Sequence, residues 1–435
     1  MNNPILGKGV YGEVYALSNS IAVKTVPSVF NENTQKTEIH PSFIIETSIL
    51  KKTNHPNIIR ILDASIDHIK ETFSFTMPLS TIGTVLDNLK SINKREISIG
   101  IARGIQYLLD MNIFHGDLKL DNVLLFPDVN VGLKPVLIDF GVSQVNICER
   151  ELHDDSHIFW NKAPEQLLEG PYNHKAQSWA LGMMILGMYE KSKFKGKSLL
   201  EQLCLIFKQF GTPDVDDPWI NKLPEWTRMK NNVPKWKAST TQLTDNRELN
   251  DILAQLLKLN SAERISVRDA LKHPFFGSLH FPSITCEEKL RNNTMLVEPC
   301  LYQRKEFLDR LPRQFCDDMQ VFFSMCQFFD RFYAVRKDID IGVFIGLAIE
   351  LIMAIYGLDE DYSCLGFLDG LDASTIMKLQ GEILTVLDYN IYFTTIYDWI
   401  KLFERWDIGD TLREEILHMM ELNSNDPEEL VRNLL

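Results

Sequence analysis

Four polar side chains between residues 117 and 139 restrict the fold of this chain more than any other feature. Asp117, Lys119 and Asn122 lie within six residues of one another, and Asp139 follows the apolar residues 136–138. Phosphoryl transfer to a hydroxyl needs a carboxylate to orient the attacking oxygen and two oxygen ligands for Mg²⁺. We therefore predict Asp117 as the catalytic base, and Asn122 and Asp139 as metal ligands. Lys119 is predicted to neutralise charge on the transferred group as a second catalytic residue.

A glycine-rich segment, residues 7–15, reads G-K-G-V-Y-G-E-V-Y. Backbone amides approach phosphate oxygens closely only where side chains are absent, which explains the glycines. The same spacing occurs in dinucleotide-binding turns and tight hairpins, so the segment alone leaves these alternatives open. Two observations favour a nucleotide cradle. Lys24 follows Gly12 by about a dozen residues, where a lysine on a strand could reach the phosphates, and no Rossmann-type helix pattern follows the loop. The predicted cradle consists of Leu6, Gly7, Lys8, Gly9, Val10, Tyr11, Gly12, Val14, Ala22 and Lys24.

Lys24 needs a fixed anion to hold its ammonium in place. Glu46 is the natural partner, because it lies in the sequence F-I-I-E within a segment of helical periodicity. A solvated surface glutamate is the alternative interpretation.

Periodicity divides the chain into three regions. Residues 5–76 alternate apolar and polar in short runs around one helical segment, whereas residues 85–276 are mainly helical. Further on, Met325, Phe329 and Phe332 fall on one helical face. We predict an α+β, two-lobed domain followed by an all-helical one. The predicted bounds are residues 1–277 for the first domain, with lobes of about 1–76 and about 80–277, 278–303 for a linker and 304–435 for the helical domain.

With these motifs, residues 5–276 resemble the eukaryotic protein kinase family. Residues 163–165 match the family's A-P-E, and Arg264 matches the arginine that pairs with Glu165. An ordinary surface pair is the alternative to a buried structural one. The resemblance implies ATP as the phosphoryl donor, Mg²⁺ as cofactor and a protein substrate. Lys119 resembles serine/threonine kinases rather than tyrosine kinases.

Within the family, the chain resembles the cyclin-dependent kinases. Residues 41–46, P-S-F-I-I-E, resemble their PSTAIRE helix with one residue fewer, and residues 54–59 are similar to the stretch after it. Residues 210–214, 233–236 and 273–276 resemble the group's large-lobe insert and terminus.

The helical part resembles a cyclin box from about residue 311 to residue 403. The resemblance rests on F-F-D-R-F at residues 328–332, on the apolar run 341–356 and on residues 383–391. An unrelated helical bundle would show similar periodicity and is the alternative. The cyclin-like interpretation implies a kinase with an intramolecular regulator, which tethering would keep at a local concentration of the order of mM.

The kinase resemblance also implies a hinge at residues 75–78, F-T-M-P, with Phe75 closing the back of the adenine pocket. Proline has no amide hydrogen, so Pro78 removes one hinge bond to adenine. The Thr76 carbonyl, apolar contacts and the phosphates would then bind the nucleotide. Leu124 completes the predicted pocket.

Three positions that usually order the catalytic site differ from the kinase pattern. Gly116 replaces the arginine that binds a loop phosphate, and His153 replaces the loop threonine, so we predict activity without loop phosphorylation. Ser156 is the nearest alternative acceptor. Gln177 replaces an aspartate that braces the loop, and an uncharged amide predicts a weaker brace.

Positions that govern recognition of the substrate and of the cyclin-like part also differ from the family patterns. Ser156, His157 and Lys162 replace the small apolar residues and arginine on which Ser/Thr-Pro recognition depends. In the cyclin-like part, Ile355 and Gln380 replace the lysine and glutamate that hold the kinase helix. Docking there is predicted to be apolar or differently arranged.

Composition excludes some partners. The formal net charge of -14 argues against nucleic acid and anionic membranes. Residues 341–356 are short for a bilayer and contain Glu350, which predicts a buried helix. The seven cysteines form no C-x-x-C pair and no signal-peptide pattern opens the sequence, so we expect free thiols and a cytoplasmic or nuclear location.

Two other interpretations of function stay open. The chain could be a pseudokinase scaffold that binds nucleotide and recruits partners through its helical domain. Alternatively, the C-terminal domain could bind substrate rather than regulate. The presence of Lys24, Glu46, Asp117, Asn122 and Asp139 together favours catalysis.

Overall fold

The computed structural model describes most of the first 277 residues and the central part of the remaining chain. The described residues are 5–8, 12–31, 36–67, 70–145, 159–170, 173–190, 194–214, 217–231, 233–239, 243–277, 307, 310, 319–336, 338–356, 368 and 370–391. The predicted linker and both ends of the predicted helical domain therefore lie outside the described residues.

An antiparallel sheet forms the smaller lobe, with β1, β2, β3, β7 and β6 as neighbours in that order. Along β7 the side chains of Phe73, Phe75 and Met77 are buried, and those between them are half-buried. This alternation follows the sequence pattern, because successive side chains of a strand point to opposite faces. The strands are β1 (Ile5–Lys8), β2 (Glu13–Ala16), β3 (Ile21–Pro27), β4 (Val29–Asn31), β5 (Lys36–Glu38), β6 (Asp63–Asp67), β7 (Thr72–Pro78), β8 (Ile113–Phe114), β9 (Val123–Asp128), β10 (Gly132–Leu137) and β11 (Gln144–Val145).

Helices form the larger lobe around α4, which is apolar on all sides and almost entirely buried. Trp179 and Leu181 of α4 are inaccessible to solvent, and α2, α7 and α8 pack around this helix. The helices are α1 (Pro41–Lys52), α2 (Lys94–Asp110), α3 (Pro164–Leu167), α4 (Lys175–Tyr189), α5 (Leu199–Phe210), α6 (Pro224–Met229), α7 (Arg247–Leu256), α8 (Val267–Ala270), α9 (Met319–Tyr333), α10 (Ile341–Tyr356) and α11 (Ala373–Val386).

A buried ion pair stabilises the larger lobe. Arg264 donates to both carboxylate oxygens of Glu165, at 2.6 and 2.9 Å, and neither side chain is more than 5 % exposed. The predicted structural pair is confirmed. Removing one partner would leave a buried charge uncompensated, so the pair holds the start of α3 in place.

The two-lobed α+β layout is confirmed, with two differences. Strand β7 continues to Pro78, past the predicted lobe boundary at about residue 76. Two small antiparallel pairs, β8 with β11 and β9 with β10, lie in the region predicted to be mainly helical. The sequence did not reveal the pair of β8 with β11, because these two strands are too short for an alternation to be recognised.

The C-terminal helices pack against α1. Helix α10 lies along α1 and also contacts β11, while α11 contacts β5. Phe43 of α1 meets Tyr389 edge to face, with ring centroids 6.0 Å apart, and Lys51 pairs with Asp388 at 2.6 Å. In the described part of the chain no helix combines the length and apolarity needed to cross a membrane. The buried packing of α10 agrees with its prediction as a core helix.

A Schellman-type turn after α11 presents Asp388 and Tyr389 to α1. The amide of Tyr389 donates to the Leu384 carbonyl at 2.7 Å, and that of Asp388 donates to the Thr385 carbonyl at 3.0 Å. Both residues have left-handed backbone conformations, with φ of 49° for Asp388 and 56° for Tyr389. Glycine usually occupies such positions, so the two side chains that reach α1 are held at a cost of about 1–2 kcal/mol each.

Lys52, the last residue of α1, is largely buried close to Arg331 of α9. Burial and the positive charge of Arg331 lower the pKa of Lys52 to about 8. Because an unfolded lysine titrates near 10.4, the charged form destabilises the folded state fully below about pH 8, and this effect fades as pH rises toward 10.4. We expect Lys52→Met to raise the melting temperature at pH 7, and the gain over the wild type to shrink at pH 9.5.

Thermal unfolding at both pH values checks this prediction. Its matched control is Lys51→Met, which removes the ion pair to Asp388 and should not raise the melting temperature. An equal gain for Lys52→Met at pH 7 and 9.5 would contradict the assigned cause.

Candidate active site

Lys24 stands at the centre of the cleft between the lobes. Strand β3 places it opposite Phe75 of β7, and it is 9 % exposed. Its ammonium donates to Glu46 of α1 at 2.6 Å and to Asp139 at 2.8 Å. The predicted pairing with Glu46 is therefore present, and the alternative of a solvated surface glutamate is wrong, because Glu46 is only 3 % exposed.

Opposite charges set the protonation of this cluster. Burial lowers the pKa of Lys24, but the carboxylates of Glu46 and Asp139 outweigh burial and raise it above the ordinary value for lysine. Burial raises the pKa of Asp139, but the Lys24 ammonium overcomes this and lowers it. Burial also raises the pKa of Glu46, against the pull of Lys24. At neutral pH the cluster therefore presents a charged ammonium and an ionised Asp139.

Asp117 is held by two donors from its own loop. Lys119 donates to one carboxylate oxygen at 2.6 Å, and the Asn122 amide donates to the same oxygen at 2.8 Å. Asn122 also donates to the backbone carbonyl of Asp117 at 2.9 Å. A short 3-10 helix over Leu120–Asn122 brings the three side chains to one side of the loop.

Asp139 connects the loop to α1. Its φ of 67° is unusual for a residue other than glycine, and its side chain remains 42 % exposed. The following residue, Phe140, is buried and donates its backbone amide to Glu46 at 3.2 Å. A strained conformation of this kind turns the carboxylate toward the cleft while the next side chain enters the core.

His115 links the loop that carries Asp117 to the segment that carries Asp139, a role that the sequence analysis did not assign. Its ring is fully buried, and burial lowers its pKa, so the neutral form is favoured. Nδ1 accepts from the Asp117 amide at 3.3 Å, so Nε2 carries the proton and donates to the Ile138 carbonyl at 3.0 Å. The ring packs on Phe140 at 4.7 Å between centroids. Its position two residues before the predicted catalytic base, Asp117, was the available signal.

Gln177 braces the catalytic loop from α4. Its side-chain oxygen accepts from the His115 amide at 3.2 Å, and its nitrogen donates to the Ile113 carbonyl at 3.3 Å. The predicted uncharged brace is therefore present. Glutamine adds a second hydrogen bond that aspartate, as an acceptor only, would not donate.

Gly116 occupies a place where a side chain does not fit in this conformation. Its φ is 80°, and a Cβ would lie 2.4 Å from the Val142 carbonyl oxygen. The loop positions that accompany it in the prediction, His153 and residues 154–157, lie outside the described residues. Lys162 is described, and its ammonium lies 6.0 Å from the centroid of the Phe159 ring.

The glycine-rich segment is described in part. Leu6, Gly7 and Lys8 lie on the exposed β1, and Lys8 pairs with Glu13 at 3.0 Å. Gly9, Val10 and Tyr11 lie outside the described residues. A Cβ on Gly12 would lie 2.3 Å from the Thr25 carbonyl oxygen, so close packing by itself requires a glycine at this position, and its contact with a phosphate stays a prediction.

The remaining predicted nucleotide contacts lie on strands. Val14 pairs with Lys24 across β2 and β3, and Ala22 is buried. The residues predicted as the hinge form the end of strand β7, where Thr76 pairs with Val23 and Pro78 with Ile21. The connection to the larger lobe therefore begins at Leu79, whose amide donates to Ser20 at 2.9 Å. Phe75 is buried beside Lys24, and its place at the back of an adenine pocket stays a prediction. Leu124 forms an isolated bridge with Thr84 on the other lobe.

The donor set fits a magnesium nucleotide. Asn122 uses its nitrogen toward Asp117, so its amide oxygen remains available, and Asp139 exposes carboxylate surface to the cleft. Within the described ranges no three histidine, cysteine or carboxylate side chains cluster closely enough to hold a metal. Mg²⁺ characteristically completes such a site with phosphate oxygens and water.

The sequence analysis singled out Gln380 and Ile355 in the C-terminal helices as positions that replace kinase-binding residues. Gln380 is buried and donates to Glu350 of α10, so it supports packing within the helical segment. The side chain of Ile355 lies outside the described residues. Besides the packing of α10, the described contacts with α1 include those of Asp388 and Tyr389, which the sequence analysis did not identify.

Comparison with known proteins agrees with this geometry. Residues 2–276 match the family model described as "Protein kinase domain". A curated relative, cell division control protein 2 homolog 3 of Trypanosoma brucei brucei, is 30 % identical over 299 residues, which cover 64 % of this chain and 91 % of the relative. The chain therefore belongs to the protein kinase domain family.

Proposed function

We propose that this protein kinase is an active, ATP-dependent serine/threonine kinase, similar to the cyclin-dependent kinases, that works in the cytoplasm or nucleus. One observation carries the proposal. Lys24 bonds to both Glu46 and Asp139 at 2.6 and 2.8 Å, while Lys119 and Asn122 hold the Asp117 carboxylate. Phosphoryl transfer depends mainly on positioning and charge neutralisation, which these contacts provide.

Each residue has a distinct role in the proposed reaction. The hydroxyl oxygen of a substrate serine or threonine forms a bond to the γ-phosphorus of ATP, and the bond between that phosphorus and the bridging oxygen breaks to release ADP. Asp117 orients the hydroxyl and accepts its proton, and Lys119 neutralises charge on the transferred group. Lys24 binds phosphate oxygens of the nucleotide. When bound through Asn122 and Asp139, Mg²⁺ supplies charge neutralisation at the phosphates.

Phosphoamino-acid analysis tests the acceptor class. The purified full-length chain, incubated with magnesium, γ-labelled ATP and a basic protein substrate, should yield labelled phosphoserine or phosphothreonine. A preparation lacking magnesium is the control. Label on tyrosine alone would contradict the serine/threonine assignment, and a folded chain that transfers no label would contradict the kinase proposal.

We further propose that the C-terminal helical segment acts as a cyclin-like regulator in the same chain. The supporting observation is its contact with α1, the helix that carries Glu46. Tyr389 packs on Phe43 and Asp388 pairs with Lys51, and both come from left-handed positions that need external support. Stabilising α1 keeps Glu46 within reach of Lys24.

The Gly116 geometry favours activity without loop phosphorylation. An arginine that would bind a loop phosphate is absent, and a Cβ at this position would meet the Val142 carbonyl in the described conformation. The α1 contacts from the helical segment offer another source of order in the cleft, which an unphosphorylated loop would require. The scaffold alternative has less support, because the charged groups needed for transfer are present and mutually bonded.

A further inference from the structure

A small cavity opens beside the catalytic loop, on the side of the larger lobe. Its volume is about 80 Å³, and Lys119 and Asn161 form its edge on the side of Asp117. Side chains that are at most 8 % exposed form its walls. These walls come from Leu120, Met183, Met184, Leu186 and Phe194, with Leu86 and Trp160 closer to the mouth.

Gly187 of α4 keeps this cavity open. A Cβ built there would meet one neighbouring atom only, the Leu120 side chain at 3.5 Å, which is ordinary contact. Glycine in the interior of a helix is otherwise unfavourable by about 1 kcal/mol relative to alanine. The packing around Gly187 therefore does not require a glycine. The absence of a side chain at Gly187 leaves part of the cavity empty.

Charge at the mouth is balanced. Two carboxylates, Asp121 and Glu190, and two ammonium groups, Lys119 and Lys195, border the cavity. The Lys195 ammonium lies over the Trp160 ring, 4.7 Å from its centroid, and Lys119 bonds to Asp117. A charged occupant would gain little from this mouth and would lose hydration against the apolar walls.

We propose that this cavity is a substrate subsite that takes a leucine or methionine side chain of the protein being phosphorylated. The inference rests on the proposed kinase function and adds a substrate preference to it. Continuity with the acceptor site supports it, because Lys119 contacts both Asp117 and the cavity. Because the single side chain of Lys119 reaches from the cavity to Asp117 and an extended chain advances about 3.3 Å per residue, we place the leucine or methionine a few residues from the acceptor hydroxyl.

The volume sets the size of the occupant. A cavity of about 150 Å³ with similar walls holds the six carbons of benzene, so one of about 80 Å³ holds three or four heavy atoms. Leucine and methionine side chains meet that limit, whereas an aromatic ring does not. Burying such a side chain instead of an alanine methyl should favour the peptide by roughly tenfold in kcat/KM.

A peptide array with serine or threonine as acceptor tests the subsite. With wild-type enzyme, one position near the acceptor should favour leucine and methionine over alanine by roughly tenfold in kcat/KM. Gly187→Ala should reduce this ratio, and Gly187→Val, which fills the cavity, should bring it close to one. The KM for ATP and the melting temperature report whether the variants keep their fold.

A second variant enlarges the cavity in case Gly187→Val does not fold. Leu86→Ala should move the preference at the same position toward phenylalanine. A wild-type enzyme that phosphorylates the array without any aliphatic preference, or a preference that survives Gly187→Val, would overturn the subsite while leaving the kinase function intact. A wild-type enzyme that phosphorylates no peptide or protein would instead overturn the proposed function.

Discussion

Replacing Asp117 by asparagine should lower kcat for phosphate transfer by about 10²- to 10⁴-fold, the usual contribution of a positioned general base. Asparagine keeps the size of the side chain and can still accept the hydrogen bonds from Lys119 and Asn122. It cannot accept the proton of the substrate hydroxyl. The KM for ATP should change little, because the Lys24 cluster, which we propose binds the phosphates, is untouched.

Steady-state transfer and nucleotide binding, measured on the same preparations, check this expectation. The matched control is Asp128→Asn, at the exposed end of β9, where the side chain accepts from Asn130 and Val131. That variant should behave as wild type. The scaffold interpretation would be favoured if the wild type bound nucleotide without transferring phosphate and Asp117→Asn bound nucleotide equally well.

The polar site could be predicted because its chemistry restricts residue types and order. Few side chains can orient a hydroxyl or ligate magnesium, so Asp117, Asn122 and Asp139 were recognisable without structure. Their hydrogen-bonded arrangement with Lys119 agrees with that prediction. Lys24 and Glu46 were equally predictable as a pair, because an isolated buried ammonium would be unstable.

The supporting contacts could not be predicted in the same way. Tyr389 meets Phe43 across most of the chain's length, and an aromatic residue after a helix does not specify its partner. His115 and Gln177 act through backbone hydrogen bonds whose geometry depends on the packed position of α4. Periodicity indicates which face of α10 or α11 is apolar, but many surfaces can cover an apolar face.

The hinge shows what strand pairing adds to an interpretation based on motifs. The sequence predicts that proline removes one hydrogen bond to adenine at this place. In the structure Pro78 ends β7 opposite Ile21, and the lost adenine bond stays a prediction. The sequence alone did not show that strand β7 ends at Pro78 and that the connection to the larger lobe begins at Leu79.

Tyr389→Ala should reduce kcat by about tenfold or more if the helical segment holds α1. Tyr389 is 5 % exposed, and removing a buried aromatic side chain typically costs about 3–5 kcal/mol. If about 1.4 kcal/mol of this loss falls on the position of α1 with Glu46 next to Lys24, the ratio of active to displaced α1 decreases tenfold, and a larger share of the loss decreases it further. The effect should appear in kcat, because the altered contact lies away from the nucleotide and the acceptor.

Tyr389→Phe is the matched control, because it keeps the ring against Phe43 and removes only the hydroxyl. It should retain most of the activity. Kinetics of both variants, with melting temperatures measured in parallel, separate loss of the α1 contact from general unfolding. Wild-type kcat in a folded Tyr389→Ala variant would contradict the regulatory role, because the two left-handed residues at 388 and 389 would then have no effect on the catalytic cleft. A loss of activity confined to the alanine variant would instead show that the orientation of Glu46 depends on a residue of the C-terminal helical segment.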